Sequence, residues 1–251
     1  MVAGSRRGQV LIVAAFAISI LLLSANVYIY RNSRIDASPA YSILIDYAQH
    51  IRLGSIHAVT ASLVNVSNGG ATSNLGGNLD RWEDFTRGDY RFGICDLNAT
   101  LESQVPYSDG IWLDWGTSGV GVSSAYVDFT LGIDGQGAEV DWAFPVNRTT
   151  KMRVSGSYTV IVSDQKAVTV AMSMVNEGSP ALAQSSTLEY LDTGLWNDAS
   201  LEGDYTAMDY GNGTYRFAFS AEVPGNQINI RMRVNDMRGV FVEAQETLVE
   251  G

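Results

Sequence analysis

The stretch QINIRMRVN, Gln227 to Asn235, sets Ile228, Ile230, Met232 and Val234 against Asn229, Arg231, Arg233 and Asn235 in strict alternation. Successive side chains leave a pleated strand on opposite sides, so a period of two means one buried face and one wet face. A helix would instead place apolar residues three and four apart. The same alternation recurs in Val168, Val170, Met172 and Met174, and again in Tyr215, Phe217 and Phe219. Seven strand-like runs follow one another over the last hundred residues, at 156–163, 167–176, 183–191, 205–210, 214–221, 227–235 and 240–248. Between two of them, YGNGTY carries Asn212-Gly213, which predicts a tight type I′ hairpin with positive φ at both residues. NDMRGV marks the next turn.

Seven short strands in this space resemble an immunoglobulin-like β-sandwich. The Cys…Trp…Cys signature of antibody domains is absent, since Cys95 is the single cysteine, so the resemblance is to the general architecture. One cysteine also excludes a disulfide framework and a multi-cysteine zinc site. Cys95, in RFGICDL, reads as a small buried apolar residue.

Upstream, four more strands are expected: RFGICDLNATL (91–101), GIWLDW (110–115), SAYVDFTLGI (124–133) and AEVDWAF (138–144). Trp112, Trp115 and Trp142 are expected to anchor a core, the alternative being an aromatic sugar-binding platform. Gly116 to Ser124 reads as a flexible β-turn; it lacks the third spaced glycine and the lysine of a phosphate loop. Residues 39–64 predict a helix, with Ser38 as N-cap and Pro39 in the first turn. Its stripe comprises Ile43, Leu44, Tyr47, Ala48, Ile51, Ala58, Val59 and Ala61. Asn65 to Gly77 is expected as a loop. In the helical segment that follows, Leu79, Trp82 and Phe85 point inward, and Asp80, Glu83 and Asp84 form the solvated face.

At the start of the chain, Arg6-Arg7-Gly8-Gln9 precedes Val10 to Tyr30, 21 residues without a charge. As a helix this run spans roughly 32 Å, enough to cross a hydrocarbon core of about 30 Å. It can be a secretory signal cut after Ala25, a retained anchor, or something else again. Arg7-Gly8-Gln9-Val10 resembles the cleavage site of archaeal type IV pilin-like proteins, whose class III signals place a basic residue and a glycine before an unbroken apolar helix. The resemblance covers about the first 30 residues. It implies cutting between Gly8 and Gln9 by a prepilin peptidase, and packing of the freed helix with homo- or hetero-oligomeric pilus partners. Many pilins carry a glutamate five residues into the mature chain, where this sequence has Val13. All three readings put the residues after about 31 outside the cytoplasm, and the run through Tyr30 argues against cutting after Ala25.

A net charge of −11 argues against nucleic acid as a partner. His50 and His57 lie about 10.5 Å apart along one helix, too far to share a metal ion. No G-x-S-x-G motif occurs. Asp134 to Asp141 is an acidic turn with oxygen ligands but without EF-hand spacing. No cofactor, metal or catalytic residue is assigned. Asn65, Asn98, Asn147 and Asn212 head N-glycosylation sequons.

The expectation is a mainly β protein with N-terminal helices. Residues 1–34 form a leader and a long membrane or pilin-like helix, 35–150 a helix-plus-β domain, and 151–251 the immunoglobulin-like sandwich. The function expected is that of a membrane-tethered extracytoplasmic structural or adhesive surface protein, a non-enzyme, with pilin-like filament subunit or minor pilin as the finer alternatives. The rival is a secreted or anchored carbohydrate-active enzyme or carbohydrate-binding module.

Overall fold

The computed structural model of the protein describes Ser19, Leu22, Ser24, Ala25 and residues 43–251, apart from 92, 136 and 137. Gly8, Gln9 and most of the apolar run therefore lie outside the described residues. The four described members of that run are helical. Among the described residues no helix is long and apolar enough to cross a membrane.

Within residues 43–251 two helices precede the strands, α1 over residues 43–67 and α2 over Asn74–Asp89. The strands are β1 (Gly93–Leu101), β2 (Ile111–Trp115), β3 (Val120–Gly135), β4 (Ala138–Val162), β5 (Gln165–Asn176), β6 (Ser179–Pro180), β7 (Ala183–Asp192), β8 (Leu195–Asp198), β9 (Thr206–Asp209), β10 (Thr214–Glu222), β11 (Ile228–Asp236) and β12 (Phe241–Leu248). They form two sheets. The larger runs β1-β3-β4-β5-β10-β9, with β2 pairing β3 and β6 pairing β5, and the smaller runs β12-β11-β7-β8. Every pairing between these strands is antiparallel. The chain is thus mainly β, and its last part is two stacked sheets.

β4 organises the molecule. Residues 138–153 pair with β3 and residues 150–162 with β5, so only 150–153 have neighbours on both sides. The boundary expected at residue 150 falls inside this strand. The core nevertheless divides there. The first part packs α1 and α2 against the inner faces of β1, β3 and the start of β4: Leu44, Ile51, Leu63, Leu75, Phe129 and Phe144 share one cluster. The second part packs the end of β4, β5 and β10 against β7, β11 and β12, with Val170, Met172, Phe217, Phe219, Ile230 and Met232 inside. The alternating residues of β5, β10 and β11 are all buried, as their period requires.

Several local expectations change. No turn interrupts β4 before residue 156, although Pro145 lies within it. Proline is tolerated there because, among the described residues, this part of β4 pairs with β3 alone, and a missing N–H on the other side costs no ladder bond. The loop expected at 65–77 shrinks to 68–73, since both helices run into it. Tertiary packing outweighs the low helix propensity of Gly76 and Gly77. The buried line of α1 is Leu44, Ala48, Ile51, Ser55, Val59, Ser62, Leu63 and Val66, while Ile43 and Ala61 are exposed. A Cβ on Gly54 would run into the Trp82 ring, so its absence lets α2 approach. Trp82 Nε1 then donates to Ser55 Oγ (3.0 Å), and Asn78 Nδ2 to Ser62 Oγ (2.9 Å). Phe85 faces solvent, stacked on Trp82, and Thr86 is buried in its place. Only the start of the expected turn, residues 116–119, lies outside a strand, because β3 starts at Val120. The hairpin of β9 and β10 uses positive φ at Gly211 (72°) and Gly213 (80°) and not at Asn212, so it is not the two-residue turn expected.

Candidate binding face

The larger sheet has a second face, turned away from both helices. On β3 it carries Ser124, Tyr126, Asp128, Thr130 and Gly132, the residues between the buried Ala125, Val127, Phe129, Leu131 and Ile133. Register fixes the neighbours: Asp96 and Asp141 flank Gly132, Asn98 and Ala143 flank Thr130, and Asn147 pairs with Tyr126. At one end the chain after β1 folds back over this face. Tyr107 hydroxyl lies 2.9 Å from Ser124 Oγ, which is 2.6 Å from Thr149 Oγ1. The Tyr107 ring meets Trp112 edge-on at 6.0 Å and Tyr126 at 5.8 Å.

At the other end the face opens into a groove of roughly 480 Å³ with Gly132 at its floor. Asp96 and Asn98 of β1 form one wall, and Asp141 and Ala143 of β4 the other. Asn98 Nδ2 donates to Asp96 Oδ2 at 3.1 Å, and Arg87 Nη2 reaches Asp96 Oδ1 at 3.5 Å. Gly132 has neither positive φ nor crowding: an added Cβ would meet Asp141 Oδ1 at 3.5 Å, an ordinary contact. The glycine is therefore not demanded by the backbone, and what it provides is room. Carboxylates, an amide and a hydroxyl around an open floor suit hydrogen bonding to a hydroxyl-rich group. Acid–base catalysis needs two carboxyls in unlike surroundings, whereas Asp96 and Asp141 are both exposed.

The three tryptophans do not make one platform. Trp112 lies on the outer face opposite Ser124. Trp115 turns inward, donating to Ser123 Oγ (3.0 Å) and meeting Phe241 edge-on. Trp142 pairs with Leu131 on the inner face, beneath Arg52. Trp115 and Trp142 stand opposite Gly121 and Leu131, roughly 33 Å apart along β3.

His50 and His57 are both exposed on α1. Among the described residues no group of histidine, cysteine and carboxylate residues could hold a metal ion. Cys95 is buried, and burial, helped by the Asp96 carboxylate, pushes its thiol up to about 11. The thiolate needed for reactivity is thus disfavoured.

The sequons differ in their surroundings. Asn65 lies in the last turn of α1, and Ser67 of its sequon is buried, donating to Val64 O and accepting from Phe241 N. Asn147 Oδ1 accepts from its own Thr149 hydroxyl at 2.8 Å, next to Ser124. Asn212 is exposed in the hairpin, where its Oδ1 accepts from Thr214 N (3.1 Å). Asn98 and Thr100 are both exposed, on one face of the edge strand β1.

Sequence reasoning missed a buried ionic seam between the two cores. Asp236, fully buried, accepts from Thr150 Oγ1, Asn176 Nδ2 and Arg238 Nε through Oδ2, and from the Arg238 and Val240 amides through Oδ1. Arg238 goes on to Glu177 at 2.7 Å, and Glu177 to Arg148 at 3.5 Å. Burial alone would raise the Asp236 carboxyl, but the Val240 amide and the Arg238 guanidinium outweigh it and hold it below its ordinary value. The only signal in the sequence is the acid in NDMRGV, which reads as a turn former.

Comparison with protein-family models, with curated proteins and with solved structures finds no match to this chain.

Proposed function

We propose that the protein is a membrane-tethered, extracytoplasmic surface protein with a structural or adhesive role, pilin-like at its N-terminus and displaying an immunoglobulin-like sandwich at its C-terminus. The observation that carries this reading is the sequence order: a 21-residue uncharged run after Arg6-Arg7-Gly8, followed by an acidic β-rich body. That body buries its own apolar faces in two cores and so needs no membrane of its own. The strand order supports the immunoglobulin-like reading. β4-β5-β10-β9 against β12-β11-β7 follows the ABED and GFC arrangement, with β8 in the place of an added C′ strand. An outer face of hydroxyls, amides, carboxylates and aromatic rings fits adhesion better than catalysis.

The mature N-terminus tests this reading. Peptide mass spectrometry of the protein from its native host should find a chain beginning at Gln9, which favours a filament, or one retaining Arg6 and Arg7, which favours an anchor. A chain beginning at Asn26 would make this an ordinary secreted protein and remove both.

A further inference from the structure

We infer that Asn98 is an N-glycosylation site and that the groove over Gly132 is the seat of the first sugars of its glycan. This rests on the proposal that residues after about 31 are exported. Four observations point to it. Asn98 heads a sequon, Asn98-Ala99-Thr100. Both Asn98 and Thr100 are exposed, and two residues apart on a strand they project from the same face. Among the described residues that strand is an edge of the sheet and pairs with β3 alone, so an enzyme can approach it. And Asn98 itself forms part of the groove wall, so whatever is attached to its Nδ2 starts inside the groove.

The groove suits that occupant. Its volume lies within the range of small-ligand clefts. Its polar groups are Asp96, Thr130 and Asp141, acceptors and a donor for sugar hydroxyls, and its floor is bare because residue 132 is glycine. The other sequons lack these features together. Ser67 is buried and engaged, Thr149 is tied into the Ser124 cluster, and Asn212 stands on a hairpin tip.

The reaction takes its sugar from a lipid-phosphate-linked oligosaccharide, by a membrane oligosaccharyltransferase. The bond from Asn98 Nδ2 to the anomeric carbon forms, and the bond from that carbon to the phosphate oxygen breaks. The phosphate leaves with the lipid, and one amide proton passes to a base of the transferase. Nδ2 keeps its second hydrogen, so the bond to Asp96 Oδ2, 3.1 Å in the free side chain, can persist.

The test uses the full chain isolated from its native host. Glycopeptide mass spectrometry should find a glycan on Asn98 and none on Asn65. Asn98 bare while Asn212 is occupied would overturn the inference and leave the export reading standing. All four sequons bare, with the chain recovered from the cytoplasm, would overturn both. The seat is tested separately by a double-mutant cycle in thermal melting. Thr100→Ala abolishes the sequon without altering the groove wall and should lower Tm by about 2 °C, the glycan's seated contacts being lost. Gly132→Leu fills the groove; glycan should remain on Asn98, and Thr100→Ala should then cost nothing further. An equal Tm loss in both backgrounds would show that the sugars do not lie in the groove.

Discussion

One strand, β4, serves two halves of the molecule that close their cores by different means. Before residue 150 its inner face is covered by two helices, and after 153 by a second sheet. The helix-covered half carries most of the buried hydroxyls: Ser55, Ser62, Ser67, Thr86, Ser123 and Ser124. These are satisfied locally or across the layer, as in Ser55 to Ile51 O (3.0 Å) and Ser62 to Ala58 O (2.8 Å). The sandwich half has Lys166, whose Nζ donates to Gly225 O and stands over the Tyr158 ring; otherwise its buried side chains are apolar or tyrosine up to the seam at Thr150 and Asp236. Helix approach is limited by the width of facing residues, and glycine and serine narrow it. Facing sheets stand about 10 Å apart and need large side chains to fill the gap.

The comparison is tested most severely by removing one large ring from each core. Phe129→Ala, in the helix-covered half, and Phe219→Ala, in the sandwich, should each cost about 3–5 kcal/mol. Denaturant unfolding followed by tryptophan fluorescence and by far-ultraviolet dichroism checks whether the halves are coupled. If β4 and the seam bind them into one unit, either variant shifts both signals together. Separate transitions would show two independently folding bodies.

Asp236→Asn attacks the seam itself. It keeps the shape but removes the charge that Arg238 and the turn amides complement, and should cost about 2 kcal/mol. The sign of the pH effect follows from the depressed carboxyl. Its contribution is fully present above the unfolded-state value, about 3.9, and is lost as pH falls through the lower folded value. The stability gap between wild type and Asp236→Asn should therefore be full above about pH 4 and narrow below it. A gap that is constant down to strongly acid pH would contradict the assignment.

Gly213→Val should cost at least about 1 kcal/mol. The residue has φ 80°, and a Cβ there would lie 2.7 Å from Ala181 O and 2.8 Å from Met174 O. Unchanged thermal denaturation would remove the hairpin argument. Gly132→Ala, on the outer face, should change stability by no more than about 0.5 kcal/mol. A loss comparable to that of Gly213→Val would mean that residue 132 is glycine for the backbone's sake.

The sandwich was the more legible half for a physical reason. In Ile228 to Asn235 and Val168 to Met174 each residue's side is settled by strand periodicity alone, and the structure buries those same residues. The helix layer was blurred because its buried line includes Ser55 and Ser62, which hydropathy counts as exposed. Its loop was overestimated because Gly76, Gly77 and Asn74 read as breakers. The short β6 and β8 were missed, having two and four residues and little pattern. Of the candidate face, Asn98 was visible as a sequon, but nothing in the sequence put it beside Asp141.

By itself, then, the sequence determined the strand-rich class, the faces of the long strands, the buried state of Cys95 and the uncharged run at the start of the chain. These follow from local alternation, composition and length, which each segment carries independently of its partners. Only the tertiary structure decided that β4 runs unbroken from one core into the other, that Asp236 is sealed beneath Arg238, and that Asp96, Asn98 and Asp141 border one groove. Those facts depend on which strands pair and in what register. Register is set by the sum of contacts along whole strands, and residues 43 or more positions apart, such as Asn98 and Asp141, acquire a common site only when that sum is settled.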